Sequence, residues 1–270
     1  MLTQTYPAVE YIVVDDGSTD ITPDVIRSYA NRLVSIRHEN IGQAASLNKG
    51  WGLGSGDYLG YISADDRLLP SAVESLVQAL DADPAAVVAY GDFNVIDETG
   101  AEIVAGKKTA DYTKNGLLKD LICHPGPAAL FRRDGFERVG GWDPQLRFVS
   151  DFEFWLRLCD VGHFVRVPKV LADYRVHRES GSVKALTPAK AEEIVTVMTA
   201  YWGTNCGRLA KDSIAKAHYC AAINHAHSGR ARAAFYHFAI AITRRPRLLA
   251  RLHHWREFST ALWRGLPVRS

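Results

Sequence analysis

The sequence predicts an α/β protein, a mostly parallel sheet flanked by helices, followed by a helical C-terminal region. Three observations carry this. Short β-favouring runs alternate with stretches of helical periodicity in the N-terminal part of the chain. Several of those runs end in acidic residues, and in open α/β sheets the strand ends face the ligand crevice. From about Pro188 the β-branched runs thin out while Ala, Arg and His rise.

The elements follow in order. Residues 9–14, with Tyr11, Ile12, Val13 and Val14 contiguous, read as a buried strand. Thr22 is placed to cap a helix, with Pro23 at its first position and Asp24 at its positive end. Val25, Ile26, Tyr29, Ala30 and Leu33 share one face of that helix. Residues 33–38 form a second strand. Residues 42–53 form a helix weakened by Gly50 and Gly52. A third strand runs over 58–63, and a helix over 69–80 carries Val73, Leu76, Val77 and Leu80 at helical spacing. Residues 87–96 make a fourth strand, and Asp97-Glu98-Thr99-Gly100 a turn before 101–104. A less regular middle holds a strand at 128–133, a short helix at 134–139, a helix at 151–159 and an extended run at 163–177. Helices at 188–202, 208–227, 231–244 and 247–263 follow, punctuated by Gly203, Gly207, Gly229 and Pro246. The boundaries set a catalytic domain at 1–183 and a helical region at 184–270.

Composition bounds the function. With 270 residues, 47% hydrophobic and 23% charged, the chain can bury a sizeable core. A formal net charge of +2 gives no signal for a nucleic-acid partner, and none is expected. The four cysteines form no CxxC pair, which suits reduced thiols in a cytoplasmic protein and offers no zinc site. No apolar run is long enough to span a bilayer, and no secretory leader is expected.

Three acidic stretches stand out. Asp15-Asp16-Gly17-Ser18 ends the first strand, where a carboxylate can accept from a base or a ribose hydroxyl. An Asx-type turn explains it equally well. Asp65-Asp66 follows the third strand; two adjacent acids repel and favour a cation, or simply cap the next helix. Ser150-Asp151-Phe152-Glu153 opens a helix after Gly140-Gly141-Trp142-Asp143. A carboxylate there can act as a general base or merely complement the helix dipole.

Their order is more specific than any one of them. Val-Asp-Asp-Gly-Ser-Thr-Asp at 14–20, Ser-Ala-Asp-Asp at 63–66, and Gly-Gly-Trp-Asp with Ser-Asp-Phe-Glu-Phe-Trp-Leu-Arg-Leu within 140–158 closely resemble family 2 glycosyltransferases of the GT-A fold. Gln4-Thr5-Tyr6-Pro7, Asn40 to Asn48, and Tyr174 to Ser182 add to the resemblance, which covers about residues 4–183. It implies a Rossmann-like GT-A domain that transfers a single sugar, with inversion, from a nucleotide-diphosphate donor to a hydroxyl on a glycan or lipid-linked acceptor in surface glycan biosynthesis. Carried onto this chain, Asp15, Asp16 and Asn48 contact the donor, Asp66 holds Mn2+ or Mg2+ with Asp65 beside it, and Asp151 is the general base. His177 is a second metal candidate, Glu153 supplies charge near the base, and Trp142 stacks on sugar. Trp155, inside a helix, is expected to be core; His124 either lines the acceptor side or, more often for such a residue, is structural.

The chain departs from that family in two ways. Ser150 stands where the family has a Glu before the base. The family's first strand, ending in Pro-Thr/Ser-Tyr-Asn, does not precede residue 4, so the neighbouring strands are expected to lack a ladder partner. The Gln-x-x-Arg-Trp of processive synthases is absent, which points to single addition. A scaffold protein descended from such an enzyme, and a nucleotidyltransferase, are the alternatives. Arg244, Arg245, Arg247, Arg251, Arg256, Arg264 and Arg269 make a basic tail, either a solvated helix face or a contact with the inner face of the cell membrane.

Overall fold

A computed structural model describes residues 2–123, 125–177, 187–246 and 252–265, with side chains in the last segment described over 256–262. His124, Arg178 to Ser182, Arg247, Arg251 and Arg269 lie outside the described residues, as does the Arg264 side chain, so the acceptor-side and basic-tail expectations there have no structural counterpart.

The chain divides into two compact units. The first, 1–112 with 123–180, is the α/β unit. Strand β1 (Ile12–Asp15) pairs in parallel with β2 (Val34–Arg37), and α1 (Thr22–Arg27) connects them. Helix α2 (Gln43–Leu53) leads to β3 (Tyr58–Gly60) and the two-residue β4 (Arg67–Leu68). Then come α3 (Ala72–Ala82), β5 (Ala86–Ile96), β6 (Glu102–Lys107), β7 (Ala129–Arg132), α5 (Arg133–Val139), α6 (Ser150–Leu158) and β8 (His163–Arg175). The larger sheet has the order β3-β7-β5-β8-β4, with β6 on β5.

The two longest ladders, β1 with β2 and β5 with β8, are parallel, as a strand-helix-strand order dictates. The short β3, β4, β6 and β7 join antiparallel. Strand β6 follows β5 through the Asp97 to Gly100 turn, where Asp97 accepts from the Thr99 and Ala101 amides and Gly100 sits at φ +92°. Strands β1 and β3 each have one ladder partner among the described residues.

Burial explains why these elements hold. The α3 stripe of Ala72, Leu76 and Leu80 packs on Ala86 and Ala89 of β5 and on Leu171 and Ala172 of β8. Trp51 of α2 anchors a second cluster, edge-on to Phe131 and Phe136 and stacked on Phe154 at 5.9 Å. Its indole N–H donates to the Gly60 carbonyl at 3.0 Å, tying α2 to β3. Gly50 lies against β1, where an added Cβ would stand 3.2 Å from Val14 Cγ2, so the expected weak point of α2 is a packing requirement.

Helix α1 departs from expectation. It has six residues and buries none of them; Val25 and Tyr29 are exposed. Thr22 is its first residue rather than its cap, and its amide is held by Asp20 Oδ1 at 2.9 Å. Of the apolar face read from periodicity, Ile26 and Leu33 are only half-buried and Val25 and Tyr29 are exposed, so little packing supports a longer helix. Strand 58–63 is likewise shorter, because its pairing with β7 ends at Gly60, opposite Leu130, and the chain turns at Ala64 and Asp65.

The second unit, 113–122 with 181–270, is helical: α4 (Lys114–Asp120), α7 (Pro188–Trp202), α8 (Arg208–His227), α9 (Ala231–Arg244) and α10 (Leu252–Gly265). Helix α4 escapes sequence reading because Asn115 and Gly116 disfavour helix, yet Thr113 caps it by accepting the Gly116 amide at 2.9 Å. Phe238 of α9 stacks on Phe258 of α10 at 4.1 Å over a core of Ala222, Ala226, Ala234 and Ala241. Among the described residues no helix is long and apolar enough to cross a membrane.

Candidate active site

Asp66 is delivered by the turn between β3 and β4. Its amide donates to the Ser63 carbonyl at 3.1 Å, and pairing of Arg67 with Asp173 and Leu68 with Ala172 sets it beside the end of β8. There the Arg175 amide donates to Asp66 Oδ1 at 2.7 Å. The Arg175 side chain donates to the carbonyls of Asp65 at 2.8 Å and Asp97 at 2.7 Å, stapling two turns to the end of β8. His177 Nε2 lies 3.0 Å from Asp65 Oδ2.

Burial pushes the Asp66 carboxyl up to about 6, and the Arg175 amide offsets this only in part. Among the described residues no donor reaches its second oxygen. A half-buried carboxylate with an open oxygen and a second acid next to it is a donor set that suits a hard divalent cation.

Asp151 opens α6, where the helix dipole favours its charge. Its Oδ1 accepts the Phe152 amide at 2.7 Å. Burial nevertheless raises its pKa. Asp66 and Asp151 line one cleft of about 240 Å³ with Tyr61, Ser63, Phe93 and Tyr174, floored in part by Pro125-Gly126-Pro127. Burial drives the Tyr61 hydroxyl well above its usual pKa, and the Asp151 charge adds to that, so Tyr61 faces the cleft as a neutral donor.

Asp15 and Asp16 do not line this cleft; they lie in the chain just before a different opening of the same unit. A cleft of about 340 Å³ is lined by Gly17, Ser18, Thr19, Arg37, His38, Glu39 and Asn40. Asp16 accepts the amides of Ile41 at 2.8 Å and Gly42 at 3.0 Å, one on each oxygen, and so fixes the start of α2. Asp15 is buried, accepts the Ser18 amide at 2.8 Å, and is held below the usual carboxylate range by Ser18. Arg37 Nε stands 3.2 Å from Asp15 Oδ2, an ion pair without a directed hydrogen bond. Gly17 at φ +83° brings backbone against backbone: a Cβ there would meet the Asn40 amide at 2.7 Å.

Three of the expected site residues have partners within the fold. Asn48 exchanges two hydrogen bonds with the Trp142 backbone, at 2.7 and 2.8 Å. Trp142 is 5% exposed, edge-on to Trp51 and Tyr61, so it offers no face to a sugar here. Glu153 forms a two-pronged ion pair with Arg157 at 2.7 Å, and Arg157 in turn donates to the carbonyls of Val139, Gly140 and Gly141. Glu153 thereby holds the turn before Trp142. His177 reaches Asp65 and not Asp66. Ser150 is buried, its hydroxyl on the Leu146 carbonyl. Trp155 is core, as expected. Arg157 and the stapling geometry of Arg175 were not legible beforehand, because their partners are backbone carbonyls that carry no sequence signal.

The fold and this cleft define an α/β protein in which acids from the β3–β4 turn and the start of α6 line one concavity. The chain belongs to glycosyl transferase family 2, whose model matches residues 1–140. It is 28% identical over 220 residues to an uncharacterized glycosyltransferase of Rickettsia typhi, covering 79% of this chain and 67% of that protein. It is 29% identical over 201 residues to the chondroitin synthase of Escherichia coli, covering 73% of this chain and 29% of the synthase. Among solved structures, S. aureus TarS in complex with UDP aligns with 99% of this chain and 86% of its own at TM-score 0.62 and 14% identity. A mannosyltransferase of Pyrobaculum calidifontis in complex with GDP-Man and Mn2+ aligns with 99% of this chain and 81% of its own at TM-score 0.55 and 18% identity. These two structural likenesses establish the GT-A fold.

Proposed function

We propose that this chain transfers a single sugar from a nucleotide-diphosphate donor to a hydroxyl acceptor, with inversion at the anomeric carbon. The observation that carries the reading is the single cleft shared by Asp66 and Asp151. Asp151 is the general base. Burial raises its pKa, so its ionised form is a better proton acceptor than an ordinary aspartate. It takes the acceptor proton as the acceptor oxygen attacks. One base on one face leads to inversion, since retention needs a nucleophile close to the same carbon.

Asp66, with Asp65 beside it, would hold Mn2+ or Mg2+, which when bound neutralises charge on the departing diphosphate. Arg175 and His177 fix these two acids rather than touch the donor. The opening lined by Arg37, His38 and Asn40 is assigned to the nucleoside, with Asp16 shaping it through its hold on Ile41 and Gly42. The chemistry is assigned to residues 1–183. Two relatives support a role in polysaccharide synthesis: the chondroitin synthase above and a hyaluronan synthase of Pasteurella multocida, 27% identical over 199 residues. A lipid-linked or glycan acceptor on the cytoplasmic side is the matching substrate class.

The test is a donor-hydrolysis and transfer screen across sugar nucleotides, with Asp66→Ala and Asp151→Ala in parallel. Activity in the parent and loss in both variants supports the assignment; full activity in both overturns it.

A further inference from the structure

The helical unit holds a cluster that the transfer chemistry does not use. Glu192 of α7, His225 near the end of α8 and His237 of α9 come together from three helices. Both imidazole Nε2 atoms lie 2.9 Å from the same oxygen, Glu192 Oε1. All three ligand atoms fall within 4.8 Å of one another, and among the described residues no other group of three His, Cys, Asp or Glu does so. His225 and His237 are 2% and 4% exposed, and their rings stack at 5.4 Å. The Glu192 side chain is 46% exposed, which leaves one side open to solvent. Burial alone would raise the Glu192 pKa, yet the two imidazoles outweigh it and keep the carboxyl ionised.

We propose that Glu192, His225 and His237 form a binding site for a late first-row divalent ion such as Zn2+. Two imidazole nitrogens and one carboxylate oxygen, with a fourth position open to water, match the ligand preference of Zn2+ and not that of Mg2+ or Ca2+. A supporting partner is present for one ligand: the Nδ1 atoms of His237 and His218 lie 2.9 Å apart, so His237 can donate from Nδ1 while Nε2 faces the ion.

The other ligand identifies a competitor. Arg230 Nε donates to His225 Nδ1 at 2.7 Å, which leaves the His225 proton on Nε2, directed at Glu192. To take an ion, that proton must move to Nδ1, and Arg230 must turn away. Arg230 is half-buried and stands at the N-cap of α9. The ion and Arg230 therefore exclude each other at His225. An ion here would tie α7, α8 and α9 at a single point and stabilise the helical unit by linkage. This proposal stands apart from the transfer reading and shares no residue with it.

The test is titration of the chelator-stripped full chain with Zn2+ by calorimetry, and with Co2+ by visible absorption. Parallel titrations in the Asp66→Ala background separate this site from the acidic cleft. The expected result is saturable binding of about one Zn2+ per chain in both backgrounds, with Co2+ bands typical of mixed nitrogen and oxygen ligands. Glu192→Gln keeps the size and an acceptor for the imidazoles, and is expected to weaken binding by at least about tenfold. Arg230→Ala is expected to tighten it. Absence of saturable binding in the Asp66→Ala background, or unchanged binding in both Glu192→Gln and His237→Gln, overturns the site and leaves the cluster as a hydrogen-bonded network only.

Discussion

Asn48 and Trp142, 94 positions apart, hold each other through a reciprocal pair of hydrogen bonds: the Asn48 amide to the Trp142 carbonyl, and the Trp142 amide to Asn48 Oδ1. The pair leaves no room at the preceding residue, where a Cβ on Gly141 would stand 2.1 Å from Asn48 Oδ1. Asn48→Ala strands two backbone groups and is expected to cost about 2 kcal/mol of stability. Asn48→Asp keeps the acceptor and loses the donor, so it falls between parent and Ala. Urea unfolding of the three chains checks the order; equal midpoints would remove the clamp from the account.

Trp51 touches five aromatic rings and also donates to the Gly60 carbonyl. Trp51→Ala is expected to destabilise by about 3–5 kcal/mol, the range for removing a large buried aromatic ring. Trp51→Phe keeps most of the packing and loses the hydrogen bond, so thermal unfolding should place it nearer the parent.

Asp151 makes two predictions with opposite signs. As the base it must be ionised, and burial raises its pKa. The acid limb of the transfer rate therefore lies at higher pH than an ordinary aspartate would give, and a pH-rate profile locates it. Asp151→Asn is expected to reduce transfer at least about a hundredfold, at the low end of what a general base contributes. Stability moves the other way. The folded chain binds this proton more tightly than the unfolded chain does, so ionised Asp151 lowers stability as pH rises from the ordinary carboxylate range through the raised pKa. At neutral pH the Asn variant should melt at a higher temperature than the parent.

Asp66 separates an enzyme from a scaffold. Calorimetric titration of the parent with UDP and Mn2+ is expected to give saturable heat that chelation abolishes. Asp66→Ala should weaken it by more than the roughly 10–100-fold that follows loss of a mere supporting group. A parent chain without heat at millimolar ligand would favour the scaffold.

Arg175 should behave as a positioning residue. Arg175→Lys cannot reach the carbonyls of Asp65 and Asp97 in the fork geometry seen here, so Mn2+-dependent donor affinity should fall with little change in the pH profile set by Asp151. A shift of the acid limb in this variant would place Arg175 in the chemistry itself.

What could be read from the sequence follows from where each signal lives. The β5 run and the α3 stripe are local patterns, and both elements formed within a few residues of expectation. Asp66 and Asp151 stand out in the sequence only through the ordered motifs that resemble the family, since each acid alone reads equally well as a cap or a dipole partner; the structure puts both on one cleft. The structural partners of Asn48 and Glu153 carry no sequence signal, since Asn48 bonds the Trp142 backbone 94 positions away and Glu153 acts through Arg157 on the carbonyls of residues 139–141. Periodicity also overstated α1, since an apolar face is evidence of a helix only when something lies opposite it. The Glu192, His225 and His237 cluster was invisible, its members being 33 and 12 positions apart on three helices.

The ribbon formed by β1 and β2 is four residues long on each side, and its helix α1 buries no residue. Its amides are secured by few neighbours, in contrast to the densely covered β5 and β8. In native-state hydrogen exchange the Ile12–Asp15 and Val34–Arg37 amides should therefore open first, well ahead of global unfolding. The corner assigned to the nucleoside is thus thinly supported, and whatever settles against Arg37 and Asn40 would be felt there as slower exchange.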